Sequence, residues 1–230
     1  MVPLPVPGRI FVTAIILLSL KVALVAVVAS LPIAFALAWV LARLSFPGKL
    51  LLDGLVHLPL VVPPVVTGWL LLLAFAADGP LGAFSDAVLF RWTGAAIASA
   101  VMALPLMVRA MRLSIEGVDR RLENAARTLG AGRARVFASI TLPLSLPGIL
   151  AAAILGFARA LGEFGATITF VSNVPGETET LPLAIYAALQ VPGSEGAVWR
   201  LAGVSVALSL AALVASEVLV RRAGRGQHAL

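Results

Sequence analysis

Apolar runs near the length of a bilayer crossing recur along this chain, and they limit the folds open to it more than any other feature. A helix needs about 20 apolar residues to cross the hydrocarbon core. The chain is 60% hydrophobic and 12% charged, against about 45–50% and about 25% in a soluble domain. A backbone inside lipid must satisfy its own hydrogen bonds, which leaves helices and closed barrels. Barrel strands alternate apolar and polar side chains, and these runs do not. The fold class is an all-α integral membrane protein.

Five spans are predicted, at 11–42, 55–76, 94–108, 144–171 and 197–220. The first exceeds the bilayer at about 1.5 Å per residue, so part of it must tilt or project. Lys21 falls inside it and Pro32 is a candidate kink. No cleavable leader is expected, because the N-terminus lacks a basic region and the first run is too long. The segment 181–189 is apolar but short. It reads as a re-entrant or interfacial piece, with a sixth span as the alternative.

Basic residues set the orientation of such a chain. Arg43, Lys49, Arg109, Arg112, Arg120, Arg121, Arg127, Arg133, Arg135, Arg221, Arg222 and Arg225 are 12 of the 17 Lys and Arg, and all fall in alternate connections or the tail. The remaining connections, 77–93 and 172–196, hold only Arg91 against Asp78, Asp86, Glu177, Glu179 and Glu195. This predicts the N-terminus outside and the C-terminus inside. The charge of +6 is then topological and does not imply nucleic acid. The absence of cysteine removes disulfides and thiolate metal sites. His57 and His228 are isolated and give no metal signal.

The polar stretch at about 113–143 carries its own pattern. Val118, Leu122, Ala125, Ala126 and Leu129 recur at helical spacing. Gly130 and Gly132 follow as a stop. Val136, Phe137 and Ile140 form a second short apolar face, and Pro143 marks the return to the membrane. A helix–glycine–helix unit with an apolar stripe suits a groove on a partner protein. The alternative is a surface helix lying on headgroups, its arginines on anionic lipid.

The same residues resemble the coupling loop of permease subunits in bacterial ABC importers. Glu123-Asn124-Ala125-Ala126, Leu129-Gly130 and Ile140-Thr-Leu142-Pro143 fit that spacing, with Asn124 standing where the pattern has Glu. Further along the chain, Ser45-Phe-Pro-Gly-Lys49, His57-Leu-Pro-Leu-Val-Val-Pro-Pro64, Leu104-Pro-Leu-Met-Val-Arg109 and Ala158-Arg-Ala-Leu-Gly-Glu163-Phe164-Gly165-Ala-Thr167 are similar to molybdate permeases. Sulfate and tungstate permeases are close relatives. The resemblance implies the type I ABC importer permease fold as a single domain over 1–230. It implies a homodimer in the inner membrane, two ATPase subunits carrying ATP and Mg, and an extracytoplasmic oxyanion-binding protein.

The residues themselves suggest a mechanism. No phosphate-binding loop of the Gly-x4-Gly-Lys-Ser/Thr type occurs, so this chain is not expected to hydrolyse ATP or bind a cofactor. Pro59, Pro63 and Pro64 interrupt the second span, freeing carbonyls near Val61 and Val62 with Thr67 close by. A pathway lining or hinge and a simple kink are both open. Gly148, Ala152, Gly156 and Ala160 form a small-residue row, for packing within the subunit or for a dimer seam. Arg159 and Glu163 have the spacing of an intramembrane ion pair. Alternatively, Glu163, Phe164, Gly165 and Thr167 belong to a gate. The acidic outer connections suit a basic patch on a delivery protein, or simply reflect topology. A secondary transporter would need a coupling-ion site, for which only Glu163 offers itself. A membrane enzyme would need clustered His, Asp, Glu or Ser near an interface, and the two histidines are not clustered.

Overall fold

The computed structural model describes residues 9–225; His228 and the rest of 226–230 lie outside the described residues. The helices are α1 (Arg9–Arg43), α2 (Lys49–Val61), α3 (Pro64–Phe75), α4 (Ser85–Val88), α5 (Trp92–Glu116), α6 (Arg120–Thr128), α7 (Arg133–Val136), α8 (Leu142–Leu161), α9 (Gly165–Val171), α10 (Leu181–Leu189) and α11 (Glu195–Arg225). A π turn, Phe137–Thr141, joins α7 to α8. No strand occurs among the described residues. Among the described residues, four helical stretches are long and apolar enough to cross a membrane: Val12–Arg43, Trp92–Glu116, Arg133–Leu161 and Glu195–Ala215.

The span predicted at 55–76 is not one helix. Its two halves, α2 and α3, meet at 112°. A residue before proline is pushed out of the helical region. Val62 precedes Pro63, and Pro63 precedes Pro64, so two consecutive residues are extended, with ψ of 136° and 135°. Single prolines do not have this effect here. Pro32, Pro59, Pro105 and Pro147 all sit inside helices.

The span predicted at 144–171 is also divided. α8 ends at Leu161, Gly162 and Phe164 leave helical geometry, and α9 restarts at Gly165. The span predicted at 94–108 extends from Trp92 to Glu116. α10, with nine residues, covers only about 14 Å at 1.5 Å per residue, too short to cross.

The core is built on small residues. Ala34, Ala38 and Leu41 of α1, Ala103, Met107, Met111 and Ile115 of α5, and Ala152 of α8 are buried together. The small-residue row of α8 faces α5 of the same chain. A Cβ on Gly148 would lie 2.1 Å from the Ser114 Cβ, and one on Gly156 2.6 Å from the Met107 sulfur. The row therefore packs within the subunit. A second cluster joins Val22, Phe75, Ala95, Ala98, Phe170 and Val171, and a third joins Ile15, Leu181, Ala184 and Leu201.

Polar residues in the spans are tied locally. The Lys21 ammonium sits 3.6 Å over the Trp92 ring, a cation–π contact. The Ser19 hydroxyl donates to the Ile15 carbonyl and accepts the Leu181 amide, so α1 caps α10. Asp53 pairs with Arg112 at 2.9 Å, fastening α2 to α5, and lies 3.2 Å from His57 on its own helix.

Candidate functional site

Local chemistry starts and stops α6. The Asp119 carboxylate accepts the Arg121 amide at 2.8 Å, satisfying a donor that the first turn leaves free. At the far end Gly130 takes φ +86°. Its amide donates to the Arg127 carbonyl and that of Ala131 to the Ala126 carbonyl, both at 3.0 Å. This glycine-terminated pattern satisfies a helix's last carbonyls. No atom lies within 4 Å of a Cβ built on Gly130, so backbone conformation alone favours glycine there.

The helix buries a charge and exposes its leucines. Glu123 is 7% exposed. Its Oε1 accepts the Arg43 guanidinium at 2.8 Å and the Thr141 hydroxyl at 2.7 Å. α6 is thus fastened to the last residue of α1 and to the π turn before α8. On the face away from Glu123, Leu122 is 50% and Leu129 89% exposed. Ala125 is exposed on that face, Ala126 is half-buried there, and Asn124 is exposed beside Glu123. Val118 is buried, so the stripe begins one turn later than its spacing implied. A small apolar face left open opposite a fixed polar one suits a partner surface.

The rest of the polar stretch is mostly helical. Between α5 and α8 the backbone leaves helical geometry only around 117–119 and 129–132. Ile140 and Leu142 are half-buried and Pro143 is exposed. They lie at the π turn and in the first turn of α8, so the loop's second helix is the opening of the following span. Arg43 and Thr141 were not singled out as site residues from the sequence. A lone arginine after a span reads as topology, and its partner is 80 residues away.

The residues flagged in the second and fourth spans come together at the two breaks. A Cβ on Gly165 would lie 2.8 Å from the Pro64 Cβ, and one on Gly68 2.4 Å from the Ala166 carbonyl oxygen. α3 and α9 therefore touch backbone to backbone near their first turns. Thr67 and Thr167 are buried on these two helices. The buried Thr167 hydroxyl has no hydrogen-bond partner among the described residues. Pro63 and Pro64 are exposed, as are Val61, Val65 and Val66. Glu163 holds the second break. Its Oε2 lies 2.6 Å from Arg159 Nη1, and its Oε1 accepts the Ala166 amide at 2.8 Å. The Phe164 and Tyr186 rings lie 5.0 Å apart, linking this corner to α10.

The connections at the opposite end from α6 are also structured. Thr178 accepts the Val174 amide and donates to the Ser172 carbonyl. Glu179 is buried, and its Oε2 has no hydrogen-bond partner among the described residues. Burial raises its carboxyl above the ordinary range, opposed by a hydrogen bond with Asn173. Nearby, a cleft of about 750 Å³ is lined by Asp86, Phe90, Arg91 and Glu177 among others.

Comparison with known proteins adds to this geometry. Residues 30–225 match the family model described as "Binding-protein-dependent transport system inner membrane component". The chain is similar to the molybdenum transport system permease protein ModB of Escherichia coli strain K12. The two are 57% identical over 219 residues, covering 91% of this chain and 96% of that one. It is 37% identical over 193 residues to the sulfate transport system permease protein CysT of the same organism, covering 82% and 69%. Among solved structures, the MetNI methionine ABC transporter in inward-facing form aligns with a TM-score of 0.69 at 15% identity, over 93% of this chain and 94% of that one. That likeness is one of fold.

Proposed function

Because the chain belongs to the family of binding-protein-dependent transport system inner membrane components, we propose that it is the permease subunit of an ATP-driven importer of molybdate. The observation that carries this is 57% identity to a molybdenum permease over nearly the whole of both chains, against 37% to a sulfate permease. Sulfate is the alternative cargo, and tungstate stays in the same class of tetrahedral dianion. ATP hydrolysis belongs to a separate subunit, in keeping with the missing phosphate loop. The chain is a multi-pass protein of the inner membrane, read as one permease domain over 1–230.

In this reading α6 docks on the ATPase through Leu122, Ala125, Ala126 and Leu129, with Asn124 at the margin. Arg43–Glu123–Thr141 passes the displacement to α1 and α8. Spans coupled in this way shift as bodies, giving access from alternate sides. Two copies assemble around the exposed Val61–Val66 turn, with Pro63, Pro64, Thr67 and the Glu163–Thr167 corner near the path. Glu163 holds the break and does not bind an anion, since like charges repel. In this reading α2 and α3 together make one of five crossings, the positive-inside rule favours the Arg-rich end inside, and the N-terminus is then outside and the C-terminus inside. The cleft at Asp86 and Glu177 receives the oxyanion-binding protein.

The test is co-purification and uptake in membranes holding all subunits. Leu129→Glu should release the ATPase, and uptake of labelled molybdate should persist in excess sulfate. At Gly130, Asn should be tolerated better than Val, because only the φ angle is at issue. If Leu129→Glu retains the ATPase and Gly130→Val transports normally, the docking assignment fails. If sulfate competes at equal concentration, the cargo assignment fails.

A further inference from the structure

The inner side of α6 borders a cavity that takes in the Arg43–Glu123–Thr141 relay but whose other arginines have no part in the coupling proposed above. It measures about 390 Å³ and is lined by Arg43, Arg120, Arg127 and Arg133, with Glu123 and Trp39 among its other walls. The Glu123 carboxylate is already held by Arg43 and Thr141. Arg120, Arg127 and Arg133 form no ion pair among the described residues, and the buried Arg43 Nε has no hydrogen-bond partner. The cavity is therefore strongly cationic and holds an unspent buried donor.

Its other wall is aromatic. Trp39 and Phe137 line it with ring centroids 5.0 Å apart and edge to face, and Phe35 stacks on Trp39 from behind. Phe35 and Trp39 belong to the last turns of a membrane-crossing helix. A cationic mouth over an aromatic wall at the end of a span matches a phospholipid: phosphate on guanidinium, glycerol and first methylenes on the rings. An acidic side chain of a protein partner would need the arginines but not the aromatic wall. That partner is also better met by the exposed leucines on the other face of α6.

We propose that this cavity binds the headgroup of an anionic phospholipid, so that α6 carries lipid on one face and the ATPase on the other. The occupant is a phosphate-type oxyanion group whose source is the bilayer.

The test uses the complete transporter in detergent, with added phosphatidylglycerol or phosphatidylcholine, and counts retained lipid by native mass spectrometry. The parent should keep phosphatidylglycerol in preference to phosphatidylcholine. Arg127→Gln/Arg133→Gln should lower that retention roughly tenfold or more. Arg109→Gln/Arg135→Gln removes equal charge away from the cavity and should retain lipid like the parent. Equal retention of both lipids, or equal losses in the two double variants, overturns the proposal. So does displacement of the lipid by millimolar phosphate or molybdate, which would make the occupant a free oxyanion. If the cavity variant keeps its lipid and loses the ATPase, the arginines serve the protein partner and the lipid site is refuted.

Discussion

At the residue scale the decisive side chain is Glu123. It stands in the coupling-loop pattern just before Asn124-Ala125-Ala126, turned inward and bonded to Arg43 and Thr141. Removing one partner of a buried ion pair strands the other charge and costs about 3–5 kcal/mol. Glu123→Ala and Arg43→Ala are each expected to lower thermal stability in detergent, and the double variant should cost less than the sum of the two. Strict additivity in that cycle would show that the pair is not coupled. Glu179 makes a second case. Its carboxyl is raised by burial, so folding favours its protonated form. That contribution is full below the unfolded value and is lost as pH rises through the folded one. Glu179→Gln should therefore melt higher than the parent at pH 7, with the gap closing below the ordinary carboxyl value of about 4.5. A gap independent of pH would assign the effect to packing.

At the element scale, two breaks define the molecule. Tandem prolines bend α2 against α3, while Gly162 and a capping Glu163 divide α8 from α9. Each break creates a new helix start, and the two starts meet at Pro64–Gly165 and Gly68–Ala166. The contact at Gly68 is with backbone and cannot relax by turning a side chain. Gly68→Ala should cost about 1–3 kcal/mol by overpacking and reduce uptake. Gly54→Ala, inside α2 with nothing within 4 Å of its Cβ, should leave uptake unchanged and stabilise by up to about 1 kcal/mol. Comparison of melting temperatures and uptake for the two variants checks this; equal behaviour would mean α3 and α9 are not in close contact.

At the scale of the whole molecule, exposed aliphatic side chains cover the outside. Leu50, Leu51, Val61, Leu210, Leu213 and Val214 are all more than half exposed, as suits a protein whose solvent is lipid or a second copy. The proposed orientation is open to a direct measurement, because the chain has no cysteine. Asp86→Cys should react with a membrane-impermeant maleimide in intact spheroplasts, and Ala134→Cys only after lysis. The reverse pattern would invert the topology.

The sequence by itself determined the solvent, the helical class and the C-terminal limit of α6. Those follow from composition, from 3.6-residue periodicity and from the local stop signal of Gly130, which acts within a few residues. The similarity to molybdenum permeases was also legible there, in contiguous motifs. Tertiary structure decided which prolines break a helix and which are absorbed, because surrounding packing can compensate one missing donor. It turned the α8 glycines toward α5 instead of toward a second copy, and it joined Pro64 to Gly165 and Arg43 to Glu123. Such pairings link residues 80 to about 100 positions apart. Chain spacing carries no record of them, since they arise only when the helices have chosen their neighbours and buried polar groups must find partners.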